Sequence, residues 1–332
     1  MGGARFLVGT RDGLYRLGSG GKPALAGRDV AAIAKRGSRW WALLDGRTLA
    51  ESTHGSWREL GRVGRFRVTC LGAAGKELLV GTAEAHLLRL GAKGLERAKA
   101  FDRVEGRDEW YTPWGGAPDT RSVAGGVDGA LYVNVHVGGI PRSRDGGLSW
   151  QPTIDVEVDV HQVLTDPRHE GLVFAATAYG LAVSEDGGDA WRLETDGLDA
   201  YYCRAVTLAG DTLLVSASRG PDGQLAAVYR KPLGSDAFER CRRGLPPWFD
   251  GNVDTGWLVG AARTWPSAPR TDECSSPPTR ARRGTRRPRG SRRSAASPLP
   301  EPLLDSRRSR PFGRPTCEKM VEARWRSGGS PD

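Results

Sequence analysis

The sequence predicts an all-β fold, a β-propeller of four-stranded blades, and three observations carry that expectation. Two eight-residue turns, Ser143-Arg-Asp-Gly-Gly-Leu-Ser-Trp150 and Ser184-Glu-Asp-Gly-Gly-Asp-Ala-Trp191, lie 41 residues apart. Self-similarity at roughly 40 to 45 residues is the spacing of propeller blades. The apolar runs around these turns are short and alternate with a period of two, as half-buried strands do. Gly is abundant (46) and Trp (11) outnumbers Phe (7), a mix that suits many tight turns, since glycine tolerates positive φ.

The elements follow in order. Arg5–Thr10 and Gly13–Leu17 read as two strands whose inner partner is missing. A first full blade is expected at Val30–Ala34, Trp40–Leu44, Thr48–Ser52 and Trp57–Leu60, with Ser52-Thr-His-Gly-Ser-Trp57 as a degenerate copy of the repeated turn. The second spans Val68–Leu71, Leu78–Thr82, His86–Leu90 and Glu96–Ala100. The third spans Ser122–Gly125, Leu131–Val137, Gly139–Ser143 and Trp150–Thr153. The fourth spans His161–Leu164, Val173–Ala178, Gly180–Ser184 and Trp191–Glu194. The fifth spans Arg204–Leu208, Leu213–Ser218, Ala226–Arg230 and Phe238–Cys241, after which Thr255–Val259 begins a blade that the remaining sequence cannot finish. The expected count is five full blades flanked by two partial ones, from a gene whose intact product has seven. A ring left open exposes strand edges, so such a chain should aggregate readily.

Charge divides the chain near residue 262. Residues 263–332 hold 17 Lys and Arg against 7 Asp and Glu, and 11 of the 21 prolines, whereas residues 1–262 hold 32 of each charge. The propeller is therefore neutral, and the basic excess that would suggest a nucleic-acid partner belongs wholly to the tail. That tail, with runs such as Arg280-Ala-Arg-Arg-Gly-Thr-Arg-Arg, has neither strand nor helix period and reads as disordered. A basic nucleic-acid arm, a neutral disordered tail and a frameshift product compete for it. The third is favoured, because GC-rich codons for Arg263 to Pro298, read from the third base, can spell further strands and another copy of the repeated turn. The N-terminus enters a strand at once, and no run reaches the roughly 18 to 20 apolar residues of a membrane span. The expectation is a cytoplasmic monomer, without membrane or nucleic-acid partner and without cofactor. Cys70, Cys203, Cys241, Cys274 and Cys317 show no metal-binding spacing.

Both turns fit Ser-x-Asp-x-Gly-x-(Ser/Thr/Ala)-Trp, with Ser143, Asp145, Gly147 and Trp150 in the first and Ser184, Asp186, Gly188 and Trp191 in the second. Asp accepts backbone N–H bonds across the turn, Gly supplies positive φ and Trp packs beneath. This pattern resembles the BNR/Asp-box propellers of the sialidase-like superfamily. Trp110-Tyr-Thr-Pro-Trp-Gly-Gly, Val133-Asn-Val-His-Val-Gly-Gly-Ile and Asp159-Val-His-Gln-Val look like bacterial cytoplasmic members termed exo-sialidase-like or glycosyl-hydrolase-like. The resemblance covers residues 4–260 and implies a site for a glycoside. It departs from true sialidases at Ala4-Arg-Phe-Leu-Val, where their Phe/Tyr-Arg-Ile-Pro motif is absent, and Ile140-Pro141 follows Gly139 instead of Arg.

Inner strands of a propeller open around the axis at one face. Arg121-Ser-Val, His161-Gln-Val and Arg204-Ala-Val open alike, and the shifted frame offers another Arg-Ser-Val. Three arginines and a histidine should therefore ring one channel mouth, where guanidinium groups bind carboxylate or phosphate. The bland alternative pairs each Arg with a neighbouring acid among Asp119, Asp159, Asp199 and Asp254. His136 should emerge beside His161, the two acting as acid and base or as metal ligands with Asp159 or Asn134, or else as hydrogen-bonded residues of a polar channel. The segment 101–120 carries Glu109, Trp110, Tyr111 and Trp114, a candidate ligand wall or a channel plug. A Tyr–carboxylate nucleophile of the sialidase kind would join Tyr202 or Tyr111 to Glu109. The function expected is a glycosyl hydrolase or lyase acting on an anionic sugar or related metabolite, or else a non-catalytic propeller that binds a ligand or a protein.

Overall fold

The computed structural model describes residues 6–17, 21–74, 77–113 and 115–260. Among them the chain forms five four-stranded antiparallel sheets and one two-stranded sheet, Leu7–Thr10 with Gly13–Arg16, and each is a meander in chain order. Blade 1 comprises Val30–Arg36, Arg39–Leu44, Thr48–Thr53 and Ser56–Arg62. Blade 2 comprises Val68–Ala74, Glu77–Thr82, Leu87–Gly91 and Gly94–Arg97. Blade 3 comprises Thr120–Gly125, Leu131–Val135, Pro141–Ser143 and Gln151–Pro152. Blade 4 comprises Val160–Thr165, Val173–Thr177, Gly180–Ser184 and Arg192–Glu194. Blade 5 comprises Tyr202–Ala209, Thr212–Ser218, Ala227–Pro232 and Glu239–Arg240. Inner strands of successive blades lie against each other. The fold is a β-propeller.

The core sits between blades, which explains why the second strands are largely apolar. Val173–Thr177 is buried along its whole length. Phe174 and Ala176 pack toward blade 5 with Val206, Val215 and Tyr229, while Val173 and Ala175 pack toward blade 3 with Tyr132 and Ile140. Side chains alternate across a strand, so one strand feeds two interfaces. The same pattern joins Trp41 and Leu43 to Leu78 and Val80 between blades 1 and 2.

The repeated turns have one geometry. Ser143 Oγ donates to Asp145 Oδ1 at 2.8 Å and accepts from the Gly147 N–H at 2.8 Å, while Asp145 Oδ1 accepts from the N–H groups of Leu148 (3.0 Å) and Ser149 (2.9 Å). Ser184, Asp186, Gly188, Asp189 and Ala190 repeat these bonds at 2.8, 2.7, 3.0 and 2.9 Å. Gly147 and Gly188 hold φ of 88° and 95°. The turns also reach backward to the preceding blade. Arg89 donates to the Gly146 carbonyl, and Gly187 O accepts from Tyr132 Oη (3.0 Å) and Arg142 Nη1 (2.6 Å). Trp150 packs edge-on to Phe101, whereas Trp191 Nε1 donates to Thr153 O at 2.9 Å.

Several expected boundaries differ. The third strand of blade 2 starts at Leu87, after a turn with Glu84 and Ala85 at positive φ. Its fourth ends at Arg97, because the chain turns there to bury Phe101. The second strand of blade 3 stops at Val135, since Val137 adopts φ of 43°. The Ser52–Trp57 segment is a two-residue hairpin with His54 and Gly55 at φ of 64° and 97°, the signs that a type I′ turn requires. Thr255–Val259 is not a strand, although Val253 takes the carbonyl bond from Ser216 Oγ that Val160 takes from Asn134 in blade 4. A strand needs a paired neighbour, and none pairs with it among the described residues. The Arg- and Pro-rich stretch 263–332 and its frameshift reading lie outside the described residues.

Candidate functional site at the channel mouth

Every full blade carries a β-bulge near the start of its inner strand, at the second residue in blades 1 to 4 and the third in blade 5. The registers slip between Val30 and Ala32, Val68 and Cys70, Thr120 and Ser122, Val160 and Gln162, and Cys203 and Ala205. The extra residues are Ala31, Thr69, Arg121, His161 and Arg204. A bulge leaves its residue outside the ladder and re-aims its side chain. The three residues expected to share the mouth thus occupy one structural position in consecutive blades. Two residues ahead of each bulge stand Asp29, Arg67, Asp119, Asp159 and Tyr202. Just past the second strands of blades 1 to 4, Asp45, Ala83, His136 and Ala178 donate their N–H to the carbonyls of Asp29, Arg67, Asp119 and Asp159. Blades 1 and 2 put small residues at the bulge, and blades 3 to 5 put charged and aromatic ones.

Asp159 is the hub. His161 Nε2 lies 3.2 Å from its Oδ2, and His136 Nε2 lies 3.4 Å from its Oδ1. The other ring nitrogen of His161, Nδ1, sits 2.6 Å from the Cys203 carbonyl. A carbonyl only accepts, so Nδ1 carries a proton and Nε2 is the nitrogen that exchanges with the carboxylate. The His161 ring is wholly buried, with Tyr202 at 4.6 Å between ring centroids. Thr255 Oγ1 lies 3.0 Å from both the His161 and Arg204 carbonyls and ties the two bulges together.

Two of the acids are taken by arginines. Asp119 accepts from Arg67 Nη2 at 2.9 Å on both oxygens, and Arg204 reaches Asp254 with Nε at 2.7 Å and Nη2 at 2.5 Å. Arg121 makes neither a hydrogen bond nor an ion pair among the described residues, although Asp159, Asp119 and Arg204 all act on it. Burial lowers the Arg121 value, and Arg204 adds to the effect. Burial first, then Arg121, pushes His136 down to about 4. Burial also lowers His161, against the pull of Asp159. Asp159 itself would rise on burial, but the bond from His161 and the charges of His136 and Arg121 outweigh that and hold it below the usual carboxylate range. Tyr202 is raised, chiefly by burial. Its hydroxyl accepts from Arg204 Nη1 at 3.5 Å.

The remaining candidates separate. Glu109 is exposed on a short 3-10 turn, Arg107–Glu109, and is neither tyrosine's hydrogen-bond partner. Tyr111 donates instead to Glu157 at 3.3 Å, and Tyr202 turns to His161 and Arg204. Trp110 is buried against Phe101, Val133 and Val135, with Arg107 over its ring at 4.8 Å, so it packs between blades 2 and 3. Trp114 lies outside the described residues. Asn134 is fully buried, donating to Val160 O at 2.9 Å and Val135 O at 3.2 Å, a tie between blades 3 and 4. Glu157, Tyr179 and Thr255 were not singled out from the sequence. Tyr179 is exposed beside Tyr111, one residue beyond the blade-4 counterpart of His136, and the repeat register was the signal that could have found it. Among the described residues, no group of three or more His, Cys, Asp or Glu side chains stands in an arrangement to hold a metal ion.

No family model matches the chain, and no curated protein matches it. Its fold is similar to solved propellers at low identity. An ancestral GH74 enzyme aligns with TM-score 0.51 and 17% identity over 65% of this chain, which spans only 31% of the enzyme. YCF48 from Cyanidioschyzon merolae aligns with TM-score 0.53 and 14% identity over 71% of this chain and 81% of its own. The extracellular domain of a hybrid two-component system from B. thetaiotaomicron aligns with TM-score 0.56 and 13% identity over 76% and 35%.

Proposed function

We propose that the channel mouth at blades 3 to 5 binds a small anionic ligand, an anionic sugar or related metabolite, and that the chain acts on it as a glycosyl hydrolase or lyase. The observation that carries this reading is Arg121, a guanidinium without ion pair among the described residues, at the position where inner strands converge. A desolvated guanidinium binds carboxylate or phosphate strongly because both of its N–H pairs are pre-oriented. His136 and Asp159 adjoin it as the groups able to move a proton. The Asp-box pattern and the sialidase-like resemblance of the sequence support the sugar class. The same reading takes the protein as a cytoplasmic monomer with neither nucleic acid nor membrane as partner.

Calorimetric titration with glucuronate, together with a screen of anionic glycosides for turnover, tests the reading. Glucuronate should bind, and Arg121→Gln should weaken binding at least tenfold, the loss of about 1.4 kcal/mol or more expected of a charged hydrogen-bond pair. Equal binding by glucose and glucuronate would remove the anion site. A second reading, a propeller that binds its ligand without turnover, is favoured by the burial of His161 and by the pairing of Arg204 with Asp254. Binding with no turnover of any glycoside would select it.

A further inference from the structure

Three imidazole nitrogens and one carboxylate at the mouth set a proton problem. His161 Nδ1 is committed to the Cys203 carbonyl, and its Nε2 faces Asp159 Oδ2 at 3.2 Å. His136 Nε2 faces Asp159 Oδ1 at 3.4 Å from the other side. Asp159 Oδ1 is buried and lacks a hydrogen-bond partner. His136 can carry its own proton on Nε2 and donate to Oδ1. His161, with Nδ1 committed, turns a bare Nε2 to Oδ2 when Asp159 is ionised, and lone pairs then face each other at that short contact away from water, which is costly. One added proton, on Asp159 or on His161 Nε2, turns that contact into a hydrogen bond, and His136 on the other oxygen shares the charge. The cluster is thus built to take a proton, and the charge beside it works against that step. Arg121 and Arg204 both oppose a positive charge on His136.

We propose that the mouth takes up its anion together with a proton, with Asp159 and the imidazoles of His136 and His161 as the proton acceptor. An anion seated on Arg121 cancels the field that the guanidinium exerts on His136, and protonation becomes easier by the same factor by which the proton tightens the anion. The other charged and titratable groups around Asp159 are Tyr111 from the segment ahead of blade 3, Arg121 from the inner strand of blade 3, and Tyr202 and Arg204 from blade 5. Both tyrosines are held above their ordinary value and the arginines stay charged, so none of these four changes charge near neutrality. Asp119 and Asp254 are tied to Arg67 and Arg204. The carboxylate and its two imidazoles are left to carry the proton. This inference rests on the anion site of the proposed function.

Sulfate and glucuronate serve as probes because neither changes charge between about pH 5 and pH 8. Titration calorimetry of the full chain, in two buffers of different ionisation enthalpy, should show uptake approaching one proton per anion bound. Affinity should rise as pH falls, by up to about tenfold per pH unit within the linked window. In Asp159→Asn the anion should still bind, and the pH slope and proton uptake should vanish. Should that variant misfold by circular dichroism, His136→Gln takes its place, with loss of at least half the uptake expected. Binding without proton uptake in the natural chain would overturn the coupling and leave the anion site standing. A slope unchanged in Asp159→Asn would overturn it too. Failure of both anions to bind at any pH would end the anion site itself.

Discussion

Among the groups at the channel mouth, His136 is strongly altered by the fold. Its imidazole is 3% exposed and held at about 4 against an ordinary 6.5. The folded value lies below the unfolded one, so folding favours the neutral ring. That contribution is complete above about pH 6.5 and is lost as pH falls toward 4, on the order of 3 kcal/mol across the whole window. Urea midpoints should therefore fall between those pH values, and His136→Gln should flatten the fall; an unchanged profile in the variant would mean the ring is not buried neutral. Asn134 makes a different point. It reads in the sequence as a ligand-facing residue two positions ahead of His136, yet its amide spans blades 3 and 4. Asn134→Ala should cost about 1 to 3 kcal/mol of stability, since it leaves the Val160 carbonyl buried and unpaired, and it should do so without a specific effect on anion affinity.

At the scale of the element, the second strand of each blade bears the packing. Phe174 is 1% exposed between blades 4 and 5, whereas Leu193 in the outer strand of the same blade is 53% exposed. Phe174→Ala should cost about 3 to 5 kcal/mol by denaturant unfolding, and Leu193→Ala should stay within about 0.5 kcal/mol. Comparable losses at the two positions would mean that the blades do not share a core. The inner strands were legible from their Arg-x-Val and His-x-Val openings, because the repeat register puts equivalent residues at equivalent heights. Their bulges were not legible. A bulge is defined against the partner strand, and no local feature common to Ala31, Thr69, Arg121, His161 and Arg204 announces it. The repeated turns were legible as local staples, but their bonds to the preceding blade were not. Arg89, Tyr132 and Arg142 lie 45 to 57 residues from the glycines they meet.

At the scale of the whole molecule, charge and fold divide the chain in the same region. The 262 residues that include the blades are neutral, and the stretch beyond them is strongly basic. Read as a frameshift product, that stretch predicts two outcomes. Brief trypsin digestion should leave a core ending near Arg263, and resequencing of the gene across codon 262 should restore a frame that continues the blades. A protease-resistant chain of full length, or an intact frame, would refute the reading. With the blades neutral overall, the anion binding proposed for the mouth would be local to it and not the product of a general field.

The sequence by itself determined the class of fold, the blade repeat and the alignment of Arg121, His161 and Arg204, because these depend on a period that one chain displays along its length. Tertiary structure alone decided which of the mouth arginines is without an ion pair among the described residues. Arg204 meets Asp254 fifty residues away, and Asp119 is claimed by Arg67 from a neighbouring blade. Likewise Asp159 became the hub only when two blades brought an imidazole to each of its oxygens. Pairing of charges is set by distance in space, and residue types along a chain leave several pairings equally open until the blades are stacked.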